Sequence, residues 1–162
     1  MTTEEKNSEL TRHREIIIAT IDYLERTMVG LTHEEFEIVT GYYQQQKRQT
    51  EKYYQKRRLD RLQQKLYSLT KYPRWSVDLN FGSYIKEKTG YHIDIFENVQ
   101  SRINTIIEQN QIKNKKELDD VGIMFRFYKQ QADRDKVDIL RALLIDFGNR
   151  TSKQKLSRHS KD

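Results

Sequence analysis

The sequence predicts an all-α protein: a long antiparallel helical hairpin followed by a small C-terminal helical module. Three observations carry this. Residues Gln44 to Leu69 contain neither Gly nor Pro and consist mostly of good helix formers. Thr32 and Glu35 form an S/T-x-x-E capping box at the start of that run. Leu10, Ile17, Ile21, Leu24 and Met28 follow a near-heptad spacing.

The first helix is expected from about Ser8 to Met28, after a frayed polar start, with Gly30 as its C-cap. The link to Thr32 is short, so the second helix should fold back on the first. That second helix should run from Thr32 to before Pro73, which disfavours helix at Tyr72. Gly41 is its weak point. Its apolar face also moves. On a 100° wheel Phe36, Val39, Tyr42, Tyr43, Tyr53 and Tyr54 lie nearly opposite Leu59, Leu62, Leu66 and Leu69. The helix must therefore bend near Lys56–Arg58 or change partners there.

Between 75 and 95 the pattern is less regular. Trp75, Val77, Leu79 and Phe81 alternate with polar residues, as do Tyr91, Ile93 and Ile95, which admits a short strand pair. Helices are expected from about Asp94 to Gln109, from Asn114 to Gln131, and from Asp133 to Phe147, where Gly148 should end the last one. The residues after it, NRTSKQKLSRHSKD, read as a disordered basic tail. The expected division is 1–72 hairpin, 73–148 helical module and 149–162 tail.

Composition limits the chemistry. Apolar residues make up 35% and charged residues 33%, a thin core for 162 residues. There is no cysteine, which removes disulfides, thiolate metal sites and cysteine nucleophiles. No apolar run approaches a membrane span, and MTTEEKNSEL lacks the basic and apolar parts of a secretory signal, so the expected location is the cytoplasm, with no membrane partner. His13, His33, His92 and His159 are scattered. His33-Glu34 begins a zinc-protease pattern, but Glu37 stands where its second histidine belongs. Asp133, Asp135 and Asp138 lack the glycine and final glutamate of a calcium loop and suit a helix N-terminus instead. Asp119 and Asp120 likewise read as first-turn acids. No phosphate-binding glycine loop, nucleophile elbow or dinucleotide fingerprint occurs. No catalytic residue, metal or cofactor is expected.

Charge supplies the positive lead. The net charge is +6, yet residues 41–75 alone hold ten Lys or Arg against Glu51 and Asp60, a net +8. Six tyrosines and the only tryptophan lie in the same stretch. Tyr42-Tyr43-Gln44 recurs as Tyr53-Tyr54-Gln55, three helical turns later and about 16 Å along the axis. Lys and Arg neutralise phosphates and tyrosine rings stack on bases. The expected nucleic-acid surface is Lys47, Arg48, Lys52, Lys56, Arg57, Arg58, Arg61 and Lys65, with Tyr53 and Tyr54, aided by the basic tail. The same tyrosines could instead be the packing face of the hairpin, and the charges a solvated face.

The function expected on this reading is non-enzymatic, electrostatic nucleic-acid binding. The alternative is a protein-interaction or oligomerisation module, an adaptor or regulatory subunit, using the hairpin. Its interaction face would be Leu59, Leu62, Leu66 and Leu69, and its partner another protein or a second copy.

Overall fold

The computed structural model describes residues 2–159, and side chains as far as residue 153. The described residues form eight helices and no strand: α1 (Thr3–Thr27), α2 (His33–Gln55), α3 (Leu59–Leu69), α4 (Lys71–Trp75), α5 (Asn80–Thr89), α6 (Glu97–Gln109), α7 (Lys115–Gln130) and α8 (Arg134–His159). No helix among them is long and apolar enough to cross a membrane. The chain divides into two compact units, Met1–Ile95 and Phe96–Asp162.

In the first unit α1 is the central element and packs on α2, α3 and α5. It begins earlier than its apolar spacing suggests, because Thr2 and Glu5 form a capping box. Leu10, Ile17, Ile21 and Leu24 join Leu62 and Leu69 in one buried cluster, against which Tyr43, Tyr53, Tyr54, Leu59 and Leu66 pack. A second stripe of α1 is also buried, at Ile16, Ala19 and Thr20. Tyr23, further along α1, sets its ring edge-on to Phe81 of α5, with centroids 5.4 Å apart, and donates its hydroxyl to Asp78. Burial and the Asp78 hydrogen bond raise the Tyr23 pKa.

The single second helix expected from Thr32 to Tyr72 is three helices. Gly41 does not interrupt α2; the chain turns at Lys56-Arg57-Arg58 instead. Arg57 takes the left-handed conformation, φ 53°. Its N–H donates to the Tyr54 carbonyl and that of Arg58 to the Tyr53 carbonyl, each at 2.9 Å. These are the two bonds of a Schellman closure, with arginine where glycine is usual. The turn resolves the drifting apolar face: it lets Leu59, Leu62, Leu66 and Leu69 pack on the same cluster as the tyrosines of α2.

The strand pair expected between 75 and 95 does not form. That stretch holds the end of α4, a turn, and α5. Val77 closes α4 with φ 55°, its N–H bonded to the Arg74 carbonyl and that of Asp78 to the Pro73 carbonyl. Asp78 then accepts the N–H of Asn80 at 3.0 Å. The alternation of Val77 and Phe81 with polar neighbours thus reflects two buried residues either side of a turn. Because α5 packs on α1, the first unit extends to Ile95 rather than ending at residue 72.

The second unit is built on α6, α7 and α8. Val99, Ile103 and Ile106, then Val121, Met124 and Tyr128, then Val137, Leu140 and Leu143 are buried, together with Ile112. Asn114 caps α7 by accepting the Glu117 N–H at 3.0 Å, and Asp133 accepts the Lys136 N–H at 3.2 Å at the start of α8. Asp120, expected to be a first-turn acid, instead receives a bidentate Arg102 at 2.6 and 2.8 Å. Gly148 does not end α8. The helix continues to His159 through most of the stretch expected as a disordered tail, and residues 160–162 of that tail lie outside the described residues. Arg150 holds the continuation in place by donating to Asp146 at 2.7 Å and to the Ile112 carbonyl at 3.0 Å.

Candidate nucleic-acid interface

The residues expected to bind nucleic acid separate into two groups. Arg48, Lys52, Lys56, Arg57, Arg58 and Arg61 are exposed on the last turns of α2, the Schellman turn and the first turn of α3. Lys47, Lys65, Tyr53 and Tyr54 are drawn inward.

Lys47 is used inside the unit. Its ammonium lies 2.7 Å from Asp22 and 3.0 Å from Glu25, both on α1. Burial alone would lower its pKa, but the hydrogen bonds to Asp22 and Glu25 outweigh burial and raise it. Tyr54 stacks under the Arg14 guanidinium, 5.2 Å from the ring centroid, with its hydroxyl 3.3 Å from that of Thr11. Arg14 in turn donates to Glu51 at 2.8 and 2.9 Å. Tyr53 has Lys65 over its ring at 5.9 Å. Both tyrosines pack on the hydrophobic cluster, and each has a ring face met by a cation of the same unit. Lys65 is only 9% exposed.

Among the exposed six, Arg58 is paired locally. It donates two hydrogen bonds to Asp60, at 2.9 and 2.7 Å, and these, with the charge itself, push the Asp60 carboxyl down to about 2. Arg61 lies 3.8 Å from Asp60 and donates to Gln64 at 3.3 Å. Arg48, Lys52, Lys56 and Arg57 make no ion pair among the described residues. One corner of the unit thus presents six cations within fourteen residues, with Asp60 the exposed acid among them. Lysines there can offer point charges, and arginines bidentate hydrogen bonds, to an anion.

The leucines expected as an outward interaction face are placed inward. Leu62 is fully buried and Leu69 9% exposed, while Leu59 and Leu66 pack against the same cluster. The exposed apolar surface lies elsewhere. A groove of about 860 Å³ is lined by Leu24, Met28, Leu31, Val39, Tyr43 and Trp75, among others. Of its lining, Val29, Tyr42, Tyr72 and Trp75 are exposed by half or more, as are Phe36 and Ile38 on the first turns of α2. Sequence reasoning missed these.

A smaller polar cleft of about 260 Å³ adjoins the groove, sharing Tyr42, Ser68 and Leu69 with it. Gln46, Gln49, Tyr53, Arg61, Gln64 and Lys65 complete its walls. Among the described residues no three His, Asp or Glu side chains are grouped to hold a metal ion. No protein-family model, curated protein or solved structure matches the chain.

Proposed function

We propose that this chain is a non-enzymatic helical protein that binds nucleic acid electrostatically, through the phosphate backbone, at the α2–α3 corner. The contacts are Arg48, Lys52, Lys56, Arg57, Arg58 and Arg61, with little dependence on sequence. One observation carries the reading. Arg48, Lys52, Lys56 and Arg57 are exposed and make no ion pair among the described residues, and Arg58 and Arg61 stand beside them, so the corner holds cations free to pair with phosphate. Tyr53 and Tyr54 take no part.

The test is fluorescence anisotropy of labelled single- and double-stranded oligonucleotides over a salt series. Six phosphate contacts give a slope of about −5 in log K against log salt on duplex DNA. Replacing Arg57, Arg58 and Arg61 by Gln should reduce the slope by about 2–3. An unchanged slope in that variant would remove the corner as the binding site.

The exposed groove supports a second reading, self-association through the α1–α2 hairpin. The occupant is the first turns of α2 from a second copy. There Phe36 and Ile38 are exposed beside Glu34, Glu35 and Glu37, and Lys71 lines the groove, so apolar surface and charge both match. Trp75, the only tryptophan, is 62% exposed in the single chain and reports directly. A blue shift of its emission with rising concentration, together with a dimer in sedimentation, supports this reading. A strict monomer with invariant emission rejects it.

A further inference from the structure

We propose that the cleft between α2 and α3 around Lys65 is a binding site for a phosphate monoester. Lys65 is 9% exposed, and its ammonium donates to the side-chain oxygens of Gln46 at 2.5 Å and Gln49 at 3.0 Å. An ammonium has three N–H groups and the glutamines take two; the third meets only the Tyr53 ring, 5.9 Å away, which a ligand oxygen would outcompete. Among the described residues no carboxylate lines the cleft: its walls are Gln46, Gln49, Tyr53 and Tyr42 from α2, and Arg61, Gln64 and Ser68 from α3. A buried charge is ordinarily paired with an opposite one. Desolvation accordingly lowers the Lys65 pKa, with no opposing contribution from an acid.

The remaining lining explains the choice of anion. Arg61 stands one helical turn before Lys65 and lines the same cleft. Two cations at this spacing on one helix repel, and an anion between them relieves both. The Ser68 hydroxyl and the Gln64 amide nitrogen add neutral donors, since the Gln64 oxygen already accepts from Arg61. Donors on an ammonium, a guanidinium fork, a hydroxyl and an amide suit a tetrahedral dianion with three terminal oxygens better than a planar carboxylate. The volume, about 260 Å³, falls below that of drug-sized sites and limits the ligand to a phosphate and a small attached group. The site is separate from the nucleic-acid reading, apart from Arg61, which both use. Its ligand is either a free phosphate monoester or the 5′-phosphate of a strand.

The experiment is calorimetric titration of the full chain with ribose 5-phosphate, beside anisotropy with 5′-phosphorylated and 5′-hydroxyl oligonucleotides. Saturable binding of ribose 5-phosphate that weakens at least tenfold in Lys65→Met, with melting temperature retained or raised, is expected. A tenfold preference for the 5′-phosphorylated strand, lost in Lys65→Met, would assign the ligand to a strand end. Equal affinity for the two strands, with ribose 5-phosphate still bound, would assign it to a free ester. Equal affinity of Lys65→Met and the parent protein for ribose 5-phosphate overturns the proposal. If Lys65→Met does not fold, the NMR titration of the Lys65 side chain in the parent protein decides. Its pKa should rise when ribose 5-phosphate binds, and an unmoved pKa at millimolar ligand overturns the site. Oligonucleotide binding that falls in the Arg57, Arg58 and Arg61 variant, with no Lys65-dependent binding of ribose 5-phosphate, would overturn this site and leave the corner intact. Lys65-dependent ribose 5-phosphate binding without any oligonucleotide affinity would do the reverse.

Discussion

The backbone N–H of Arg58 reaches back to the carbonyl of Tyr53 at 2.9 Å, and this bond closes α2 while Arg57, beside it in the turn, takes a left-handed φ of 53°. The same turn displays three consecutive cations and lets α3 lay its leucines on α1. Fold and candidate surface therefore meet at one turn, and substitutions there can separate them.

Arg57→Gly should raise stability by about 1 kcal/mol, because glycine adopts this φ without a steric penalty. It should also weaken oligonucleotide binding and reduce the salt slope by about 1. Urea unfolding and anisotropy on the same preparation measure both. A stabilised protein with undiminished affinity would show that the arginine is there for no phosphate contact.

Lys47→Met should be costly where Arg48→Met is not. Lys47 neutralises Asp22 and Glu25 on α1, and Glu25 already has one buried oxygen without a hydrogen-bond partner among the described residues. Removing the lysine should destabilise the protein by about 1–3 kcal/mol, with nucleic-acid affinity nearly unchanged. The Arg48 variant should behave in the opposite way. Thermal melts and anisotropy of the two variants should therefore rank them in opposite orders.

Leu62→Ala removes a fully buried side chain from the α1–α3 cluster. It should cost about 2–5 kcal/mol in chemical denaturation. Sedimentation should show the same association state as the parent protein, because Leu62 faces inward. A changed association state at retained stability would return the leucines to the role of an outward face.

Lys65→Met should stabilise the protein at pH 7 by about 1 kcal/mol or more, since an apolar side chain replaces a buried cation that has no counter-ion among the described residues. The advantage should shrink with rising pH. The folded-state pKa of Lys65 is depressed, so above it the unfolded chain binds more protons than the folded one, and stability rises with pH relative to the variant. The gain is complete once pH passes the ordinary lysine value of 10.5. Denaturation of both proteins at several pH values from about 7 to 11 checks the sign. A gap constant over that range would mean that Lys65 does not titrate abnormally.

The helical class, the capping box at Thr32, the apolar spacing of α1 and the starts of α7 and α8 at Asn114 and Asp133 were legible because each rests on periodicity or on a cap of known chemistry. Helix ends were less legible. Gly30, expected as the C-cap of the first helix, does take positive φ but lies two residues beyond the cap, which is Met28. Gly90 and Asn110 close α5 and α6 in the left-handed conformation. The three other left-handed positions, Arg57, Val77 and Ala132, carry residues that give no such signal. Each closes a helix with the same pair of backbone bonds; only Val77 of the three is buried. Conversely, Gly41, Gly122 and Gly148 lie within helices. The break at Arg57 is why the basic stretch is a corner and not a rod. Lys47, Lys65, Tyr53 and Tyr54 point inward because of partners on α1, α2 and α3 that no spacing within one helix reveals.

The burial of α1 on two sides has a consequence for synthesis. One side carries Ile17, whose cluster is completed by Leu62 and Leu69 of α3. The other carries Tyr23, which meets Phe81, a residue that the ribosome adds only after α3 and α4 are made. A growing chain that has emerged only as far as α3 can cover the Ile17 stripe but not the ring of Tyr23. Its first helix must then wait, half clothed, for α5. Nascent chains of which only the part up to residue 72 has emerged should be bound by chaperones and cut by proteases. Those that have emerged past residue 95 should resist both.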